Sequence, residues 1–139
     1  KPWMDAGVIA LNSHSYDMHQ VVELDGENCR SGVLPLAGES EQDYIEALKA
    51  DYTASWEGLS AVVPEDAVRV FTYPYGKYTE ISEIVLNDMG VTVTVTTNPG
   101  MAEVVRGLPQ SMRVLDRFAM TEDVTAQQML DMLQSNRAA

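Results

Sequence analysis

Cysteine and cationic side chains are scarce in this sequence, and each scarcity excludes a class of protein. Cys29 is the only cysteine, so the chain can form neither an internal disulfide nor a zinc site built from several thiolates. Nine Lys and Arg residues stand against 21 Asp and Glu residues, a formal charge of −12. This balance argues against binding to nucleic acid or to an anionic membrane surface. No apolar run approaches the roughly 20 residues of a membrane span.

The length and composition are those of one globular domain. Hydrophobic residues make up 45% of the 139 residues, enough for a sizeable core. Residues 1–7 resemble the last turn of a helix, with Gly7 at the position after the helix where glycine is favoured. We expect a chain that opens in this way to be a piece of a longer protein.

Strand-like and helix-like segments alternate along the chain. Runs of β-branched and aromatic residues predict strands over 8–13, 67–73, 91–97 and 112–120. Helices are predicted after the capping residues Ser40, Thr79 and Thr125. This alternation favours an α/β fold with a parallel sheet and outer helices. Between the first strand and the first long helix, residues 20–39 lack periodicity and predict a long loop, our first candidate for a substrate-facing segment.

Two of the predicted helices show which face should be buried. In the helix after Ser40, large apolar residues recur every four positions and predict a core-facing stripe. They are Tyr44, Leu48, Tyr52 and Trp56. In the helix after Thr79, the residues predicted to be buried are Ile81, Ile84, Val85 and Met89.

The two histidines of the chain, His14 and His19, directly follow the apolar run 8–11. A spacing of five residues places two side chains about 140° apart on a helix and on opposite faces of a strand. They can therefore share one metal ion only if the chain turns between them. Imidazole is a common zinc ligand, but two histidines alone are also typical of ordinary core or surface residues. Asp17 could supply a third ligand or simply cap the turn.

A second motif ends the strand 67–73. Pro74, Tyr75 and Gly76 form a turn signature, and the backbone N–H groups of such a turn can stabilise an oxyanion. The alternative is that the three residues are a turn and nothing more.

The two motifs together, in this order, resemble the polysaccharide deacetylases of carbohydrate esterase family 4, which carry a NodB-homology domain. The residues that carry the resemblance are Gly7 and the segments 13–19, 71–78 and 96–100. The nearest branch has the five-residue histidine spacing and includes deacetylases of poly-N-acetylglucosamine. The resemblance covers essentially all of residues 1–139 but only the C-terminal portion of a single deacetylase domain. It implies a partial, distorted β/α barrel with parallel strands and outer helices.

The resemblance also implies a function. Members of the family are hydrolases that depend on a divalent metal ion, most often zinc, and remove acetyl groups from N-acetylated sugars. His14 and His19 match the family's metal-binding histidines, and Tyr75 lies where the family offers a backbone N–H to the oxyanion. The implied substrate is a polysaccharide or a peptidoglycan-type glycan, and the implied location is extracellular or at the cell envelope.

The chain departs from the family at three points. The Asp-Asp motif, which supplies the catalytic base and an aspartate ligand, is missing; Thr72 stands where many relatives have Arg; and no histidine follows His19 to act as general acid. We therefore expect the 139 residues alone to be inactive. A barrel without its first strands exposes sheet edges, so we also expect self-association. The alternatives are a catalytically inactive, deacetylase-like carbohydrate-binding module and an unrelated α/β domain with structural histidines.

Overall fold

The computed structural model describes residues 2–135, which form a small α/β unit. Its helices are α1 (Pro2–Asp5), α2 (Val22–Asp25), α3 (Glu41–Ser60), α4 (Glu80–Asp88) and α5 (Ala126–Ser135). Its strands are β1 (Val70–Thr72) and β2 (Val93–Val95), with short 3₁₀ turns at Pro74–Gly76 and Pro109–Met112. Helices and strands alternate as predicted from α3 to α5, whereas α1 and α2 precede α3 without a strand between them.

The sheet is parallel, as predicted, but small. Strands β1 and β2 pair in the register Val70–Val93, Phe71–Thr94 and Thr72–Val95. Two isolated parallel bridges extend it on either side, one joining Ser13 to Phe71 and the other joining Val95 to Leu115. Within residues 2–135 the sheet thus has two strands with one bridged segment beside each. This is a parallel α/β arrangement, and the described residues do not close into a barrel.

The predicted strands are longer than the observed ones. The segment 8–13 pairs only at Ser13, and the segment 112–120 pairs only at Leu115, so neither is a strand. The physical reason is that a β-branched, apolar sequence favours an extended backbone, whereas a strand also needs a hydrogen-bonded neighbour. Val8 and Ile9 are 64% and 48% exposed, and no other segment of the described chain pairs with them.

Helix α3 begins as predicted and supplies much of the core. The Ser40 hydroxyl accepts a hydrogen bond from the Asp43 N–H at 3.2 Å, which satisfies one of the free donors of the first turn. The predicted stripe is confirmed at Tyr44, Leu48 and Tyr52, which are buried, while Trp56 is half-buried against them. These side chains pack with residues of the sheet and of the region around α4, namely Phe71, Tyr73, Val85, Leu86 and Val91.

Helix α4 has a reciprocal capping box. The Thr79 hydroxyl accepts from the Ser82 N–H, and the Ser82 hydroxyl accepts from the Thr79 N–H. The predicted burial of Ile84 is wrong, because Ile84 is 61% exposed. The buried face is formed instead by Ser82, Val85 and Leu86, which are spaced three and four residues apart. Ser82 was missed because a small polar residue gives no hydrophobic signal.

A cluster of polar side chains attaches the C-terminal segment to α4. The Arg113 guanidinium donates to the Glu83 carboxylate at 2.5 Å and to the Val91 carbonyl at 2.7 Å. The Tyr73 hydroxyl donates to the same carboxylate. Burial, with the nearby Glu83, raises the pKa of Tyr73 far above its ordinary value, so this phenol remains a donor.

The segment 20–39 is irregular, as predicted, apart from the single turn of α2. Arg30 forms an ion pair with Glu39 and also donates to the Leu34 carbonyl at 3.0 Å. Hydrogen bonding to the Arg30 guanidinium holds the pKa of Glu39 below its ordinary value. Among the described residues, no helix is both long enough and apolar enough to cross a membrane.

Candidate metal centre

The chain turns between the two histidines and brings their rings together. Ser15 has a positive φ of 76°, so the backbone reverses directly after His14. The centroids of the His14 and His19 rings lie 5.1 Å apart, with the ring planes inclined by 54°. Both side chains are exposed to solvent. The geometric condition for a shared ion, a turn between the two residues, is therefore met.

A hydrogen bond defines the tautomer of His14. Its Nδ1 lies 2.7 Å from the Thr72 carbonyl oxygen. A carbonyl oxygen can only accept, so we assign the proton to Nδ1, which leaves the lone pair of Nε2 free. Histidines that bind metals are commonly oriented by this kind of bond from the other ring nitrogen. Thr72 thus contributes its backbone carbonyl to the orientation of His14.

The described residues bring together two candidate metal ligands rather than three. The Asp17 carboxylate accepts a hydrogen bond from the Gln20 side chain at 3.1 Å. Within residues 2–135, no group of three His, Cys, Asp or Glu side chains could hold an ion, so Asp17 does not complete the pair. The pair itself fits zinc, because two imidazoles on one tetrahedral ion with bonds of about 2.0–2.1 Å have centroids roughly 5 Å apart.

The Pro-Tyr-Gly turn lies directly beside this pair. The Tyr75 ring packs against the His19 imidazole, with a centroid distance of 4.2 Å. Tyr75 has φ 55° and ψ 11°, the left-handed conformation, which interrupts the 3₁₀ turn. Its N–H has no hydrogen-bond acceptor among residues 2–135. A free backbone donor therefore lies on the residue that contacts the second histidine.

Two further contacts hold the turn in place. The Thr97 hydroxyl donates to the Tyr75 carbonyl at 3.3 Å. A Cβ on Gly76 would lie only 2.1 Å from the Thr97 Oγ1, so this close approach requires glycine. Lys77 lies over the Tyr75 ring, with its Nζ 5.4 Å from the ring centroid. The same Nζ donates to the Ser31 hydroxyl at 3.0 Å.

Two residues of helix α3 that the sequence did not single out also contact the histidine loop, residues 13–19. The Asp51 carboxylate accepts from the backbone N–H groups of Tyr16 and Asp17, at 3.0 and 2.6 Å. The Ser55 hydroxyl lies 2.6 Å from the hydroxyl of Ser13. The available signal was spacing: Asp51 follows Leu48 by three positions and Tyr44 by seven, which places an acid on the buried face of the helix.

Comparison with solved structures identifies similar folds. A de-N-acetylase from Aggregatibacter actinomycetemcomitans matches with a TM-score of 0.69 and 16% identity, over 94% of this chain and 50% of that chain. The BpsB deacetylase domain from Bordetella bronchiseptica matches with a TM-score of 0.57 and 19% identity, over 84% of this chain and 47% of that chain. The Streptococcus pyogenes deacetylase PplD, in complex with acetate, matches with a TM-score of 0.52 and 19% identity, over 63% of this chain and 37% of that chain.

No protein-family model matches the chain, and no curated protein matches it. The chain spans half or less of the length of the solved deacetylases to which it is similar. At these identities the similarity establishes the fold alone. The predicted resemblance to polysaccharide deacetylases is thus confirmed at the level of architecture: residues 2–135 have the fold of part of a de-N-acetylase domain.

Proposed function

We propose that this chain is part of a metal-dependent hydrolase that removes N-acetyl groups from an N-acetylglucosamine-type polysaccharide. One observation carries the proposal. His14 and His19 converge beside Tyr75, whose N–H is free, in a fold shared with solved de-N-acetylases. His19 and Tyr75 are 56 residues apart in sequence, and the fold brings them into contact.

His14 and His19 would hold the metal, and zinc is the ion that we propose. The His14 tautomer leaves one ring nitrogen available, and the exposed position of both rings leaves room for a polymeric substrate. A divalent ion at such a site supplies Lewis-acid polarisation of a carbonyl oxygen and a more acidic water. The proposal requires a third ligand and a general base from elsewhere in the protein, because residues 2–135 place no carboxylate with the pair.

Tyr75 would stabilise the reaction through its backbone. When water adds to the acetyl carbonyl, negative charge develops on the carbonyl oxygen, and a preorganised N–H is most valuable at that moment. The Tyr75 N–H fits this role because it has no internal acceptor in the described chain and because the turn is held by Thr97. Loss of one such donor typically costs about 10²–10³ in kcat.

The substrate class and location are part of the same proposal. The similar solved proteins are named as deacetylases, one of them as a de-N-acetylase, which supports an N-acetylated glycan as the substrate here. We propose accordingly that the protein acts outside the cell or at its envelope, where a polysaccharide or a peptidoglycan-type glycan would be its substrate. The acidic chain, with a formal charge of −12, suits a neutral glycan better than an anionic polymer.

The second candidate is a catalytically inactive, deacetylase-like module that binds carbohydrate. It is favoured by one observation, namely that the described residues place no third ligand with the two histidines. In that case the exposed rings of His14 and His19 would serve only as part of a carbohydrate-binding surface.

Acetate release and zinc binding separate the two candidates. A form of the protein that includes the source of the third ligand and the base, rather than residues 1–139 alone, is incubated with N-acetylglucosamine oligosaccharides and Zn²⁺. Acetate is quantified for the wild type, His14→Ala and His19→Ala. The hydrolase predicts zinc-dependent release that falls by at least about 10²-fold in either variant. Oligosaccharide binding without acetate release, unchanged by these substitutions, would support the binding module. A wild type that binds no zinc would contradict the metal-dependent hydrolase.

A further inference from the structure

Asp51 is a buried carboxylate whose two oxygens both bind the histidine loop. It is 9% exposed, and neither ion pair among the described residues includes it. Its Oδ2 accepts from the Tyr16 N–H at 3.0 Å and its Oδ1 accepts from the Asp17 N–H at 2.6 Å. Hydrogen bonds to an ionised acceptor are among the strongest in proteins. The charge of Asp51 is thus directed at the backbone midway between the two histidines.

Helix α3 holds the same loop at a second point. Ser55 lies one helical turn after Asp51, on the same face, and its hydroxyl contacts that of Ser13, the residue before His14. The Ser13 hydroxyl also accepts from the Ser15 N–H at 3.3 Å. One face of a 20-residue helix therefore holds the loop both before His14 and between the histidines.

The loop needs such support because little regular structure holds it. Ser15 has a positive φ of 76°, a backbone conformation that non-glycine residues rarely adopt. The N–H groups of Tyr16 and Asp17 bond to Asp51 rather than to another backbone segment. Without these two acceptors the turn can relax, and the separation of the His14 and His19 rings changes with it.

We infer that Asp51 is a positioning residue for the His14–His19 metal site, which it preorganises through the backbone of Tyr16 and Asp17, with Ser55 as its partner. The inference rests on the proposed function, since it concerns the same two ligands. Asp51 acts through the loop and touches neither imidazole in the contacts described here. Groups that orient metal ligands are typically worth about 10–100-fold in metal affinity.

The test is a zinc titration of the metal-free protein by calorimetry. Asp51→Asn keeps the shape of the side chain but turns an NH₂ group toward one of the loop N–H groups. We expect its zinc dissociation constant to rise by about 10–100-fold. Glu57→Gln is the matched control, because it removes the same charge from an exposed position of the same helix. We expect its dissociation constant to stay within about twofold of the wild type.

A second pair of variants separates positioning from general stability. Leu86→Ala truncates a fully buried side chain of α4, so it should lower the melting temperature. At temperatures where the chain is folded, it should leave the zinc affinity unchanged. Ser55→Ala should weaken zinc binding by roughly three- to tenfold, and it tests the same helix contact should Asp51→Asn fail to fold. Amide hydrogen exchange at Tyr16 and Asp17 should accelerate in Asp51→Asn but not in Leu86→Ala.

The outcomes distinguish this inference from the proposed function. If the wild type binds zinc, His14→Ala does not, and both Asp51→Asn and Ser55→Ala bind as the wild type does, the inference is overturned and the proposed function stands. If the wild type binds no zinc, or if His14→Ala binds zinc as the wild type does, both the proposed function and the inference are contradicted. Weakened binding in Asp51→Asn that is matched by Leu86→Ala would also overturn the inference.

Discussion

The Tyr75 ring lies against the His19 imidazole, with the two centroids 4.2 Å apart and the ring planes inclined by 38°. The sequence indicated a role only for the backbone N–H of Tyr75. The structure adds a role for its side chain, because the ring restricts the orientations open to the second histidine. One residue thus links the proposed oxyanion donor to the proposed metal ligand.

Replacing Tyr75 should therefore weaken zinc binding even though its side chain is not a ligand. An aromatic contact of this kind is worth about 0.5–1.5 kcal/mol, so we expect Tyr75→Ala to raise the zinc dissociation constant by roughly three- to tenfold. Tyr75→Phe is the control, because it keeps the ring and loses only a long hydrogen bond, 3.4 Å, to the Gln20 carbonyl. Calorimetry measures both constants, and equal values for the two variants would contradict the role of the ring.

Gly76→Ala should destabilise the chain strongly. The added Cβ would lie 2.1 Å from the Thr97 Oγ1 and 2.7 Å from the Thr97 N, and the backbone has φ 67°. We expect a loss of roughly 3 kcal/mol in the free energy of unfolding, from overpacking together with left-handed strain. Gly38→Ala is the matched control, since Gly38 has φ 78° but nothing within 4 Å of the added Cβ. It should lose only about 1 kcal/mol, and urea unfolding compares the two.

The Arg30–Glu39 pair should make stability depend on pH in the acid range. The folded chain lowers the pKa of Glu39 from its ordinary value of 4.5, so the unfolded chain binds the proton more readily. The stabilisation is therefore fully present above pH 4.5 and is lost as pH falls through the folded pKa. Melting temperatures measured from pH 6 to pH 3 should fall less steeply for Glu39→Gln than for the wild type. Glu57→Gln, at an exposed site, should retain the wild-type slope.

Arg113 should contribute to stability mainly by neutralising the largely buried negative charge of Glu83. Removing one partner of a largely buried pair costs about 3–5 kcal/mol in the free energy of unfolding, and the remaining 15–16% exposure of these side chains reduces this toward the lower end. We expect a large loss for Arg113→Met and a clearly smaller one for Arg113→Met combined with Glu83→Gln. The exposed Arg106→Met serves as the control. Equal losses for the single and double variants in urea unfolding would show that the pair is not coupled.

Self-association of the 139-residue chain stays a prediction. Val8, Ile9 and Val68 are 64%, 48% and 64% exposed, and they lie near the edge at which Ser13 joins β1. Such an edge is a template for pairing with another chain. We expect size-exclusion chromatography to show concentration-dependent dimers or larger species, reduced in Ile9→Lys. Leu24→Lys, at an 85% exposed site in α2, should leave the profile unchanged, and a monomer at every concentration would refute the prediction.

Much of the fold could be predicted because its signals are local. Ser40, Thr79 and Thr125 each cap a helix, and the apolar stripe of α3 faces the core. The strand lengths could not be predicted in this way, because pairing depends on a neighbour that a local pattern does not contain. The prediction that Ile84 rather than Ser82 is buried failed for a related reason, since the position of the buried face depends on the element that packs against it.

For the candidate site, the sequence predicted which residues are involved but not the contacts that position them. The histidine pair and the Tyr75 turn were recognisable from their residues and order, and their assignment as metal ligands and oxyanion donor remains a prediction. The spacing of Asp51 placed it on the buried face of α3, but its role could not be predicted, because its partners, two backbone N–H groups, leave no trace in the sequence. The His14–Thr72 bond was hidden for the same reason, since its acceptor is a main-chain carbonyl.

The parallel register has a consequence for how this chain folds. Ser13 pairs with Phe71, and Val70 pairs with Val93, so each pairing closes a long stretch of intervening chain. Long-range parallel pairings form slowly, because the entropy of loop closure is lost before the contacts are gained. His14, Tyr75 and Thr97 can therefore meet only after both closures are complete. Metal uptake at this place should accordingly be among the last kinetic events of refolding, and its rate would report when the native topology is reached.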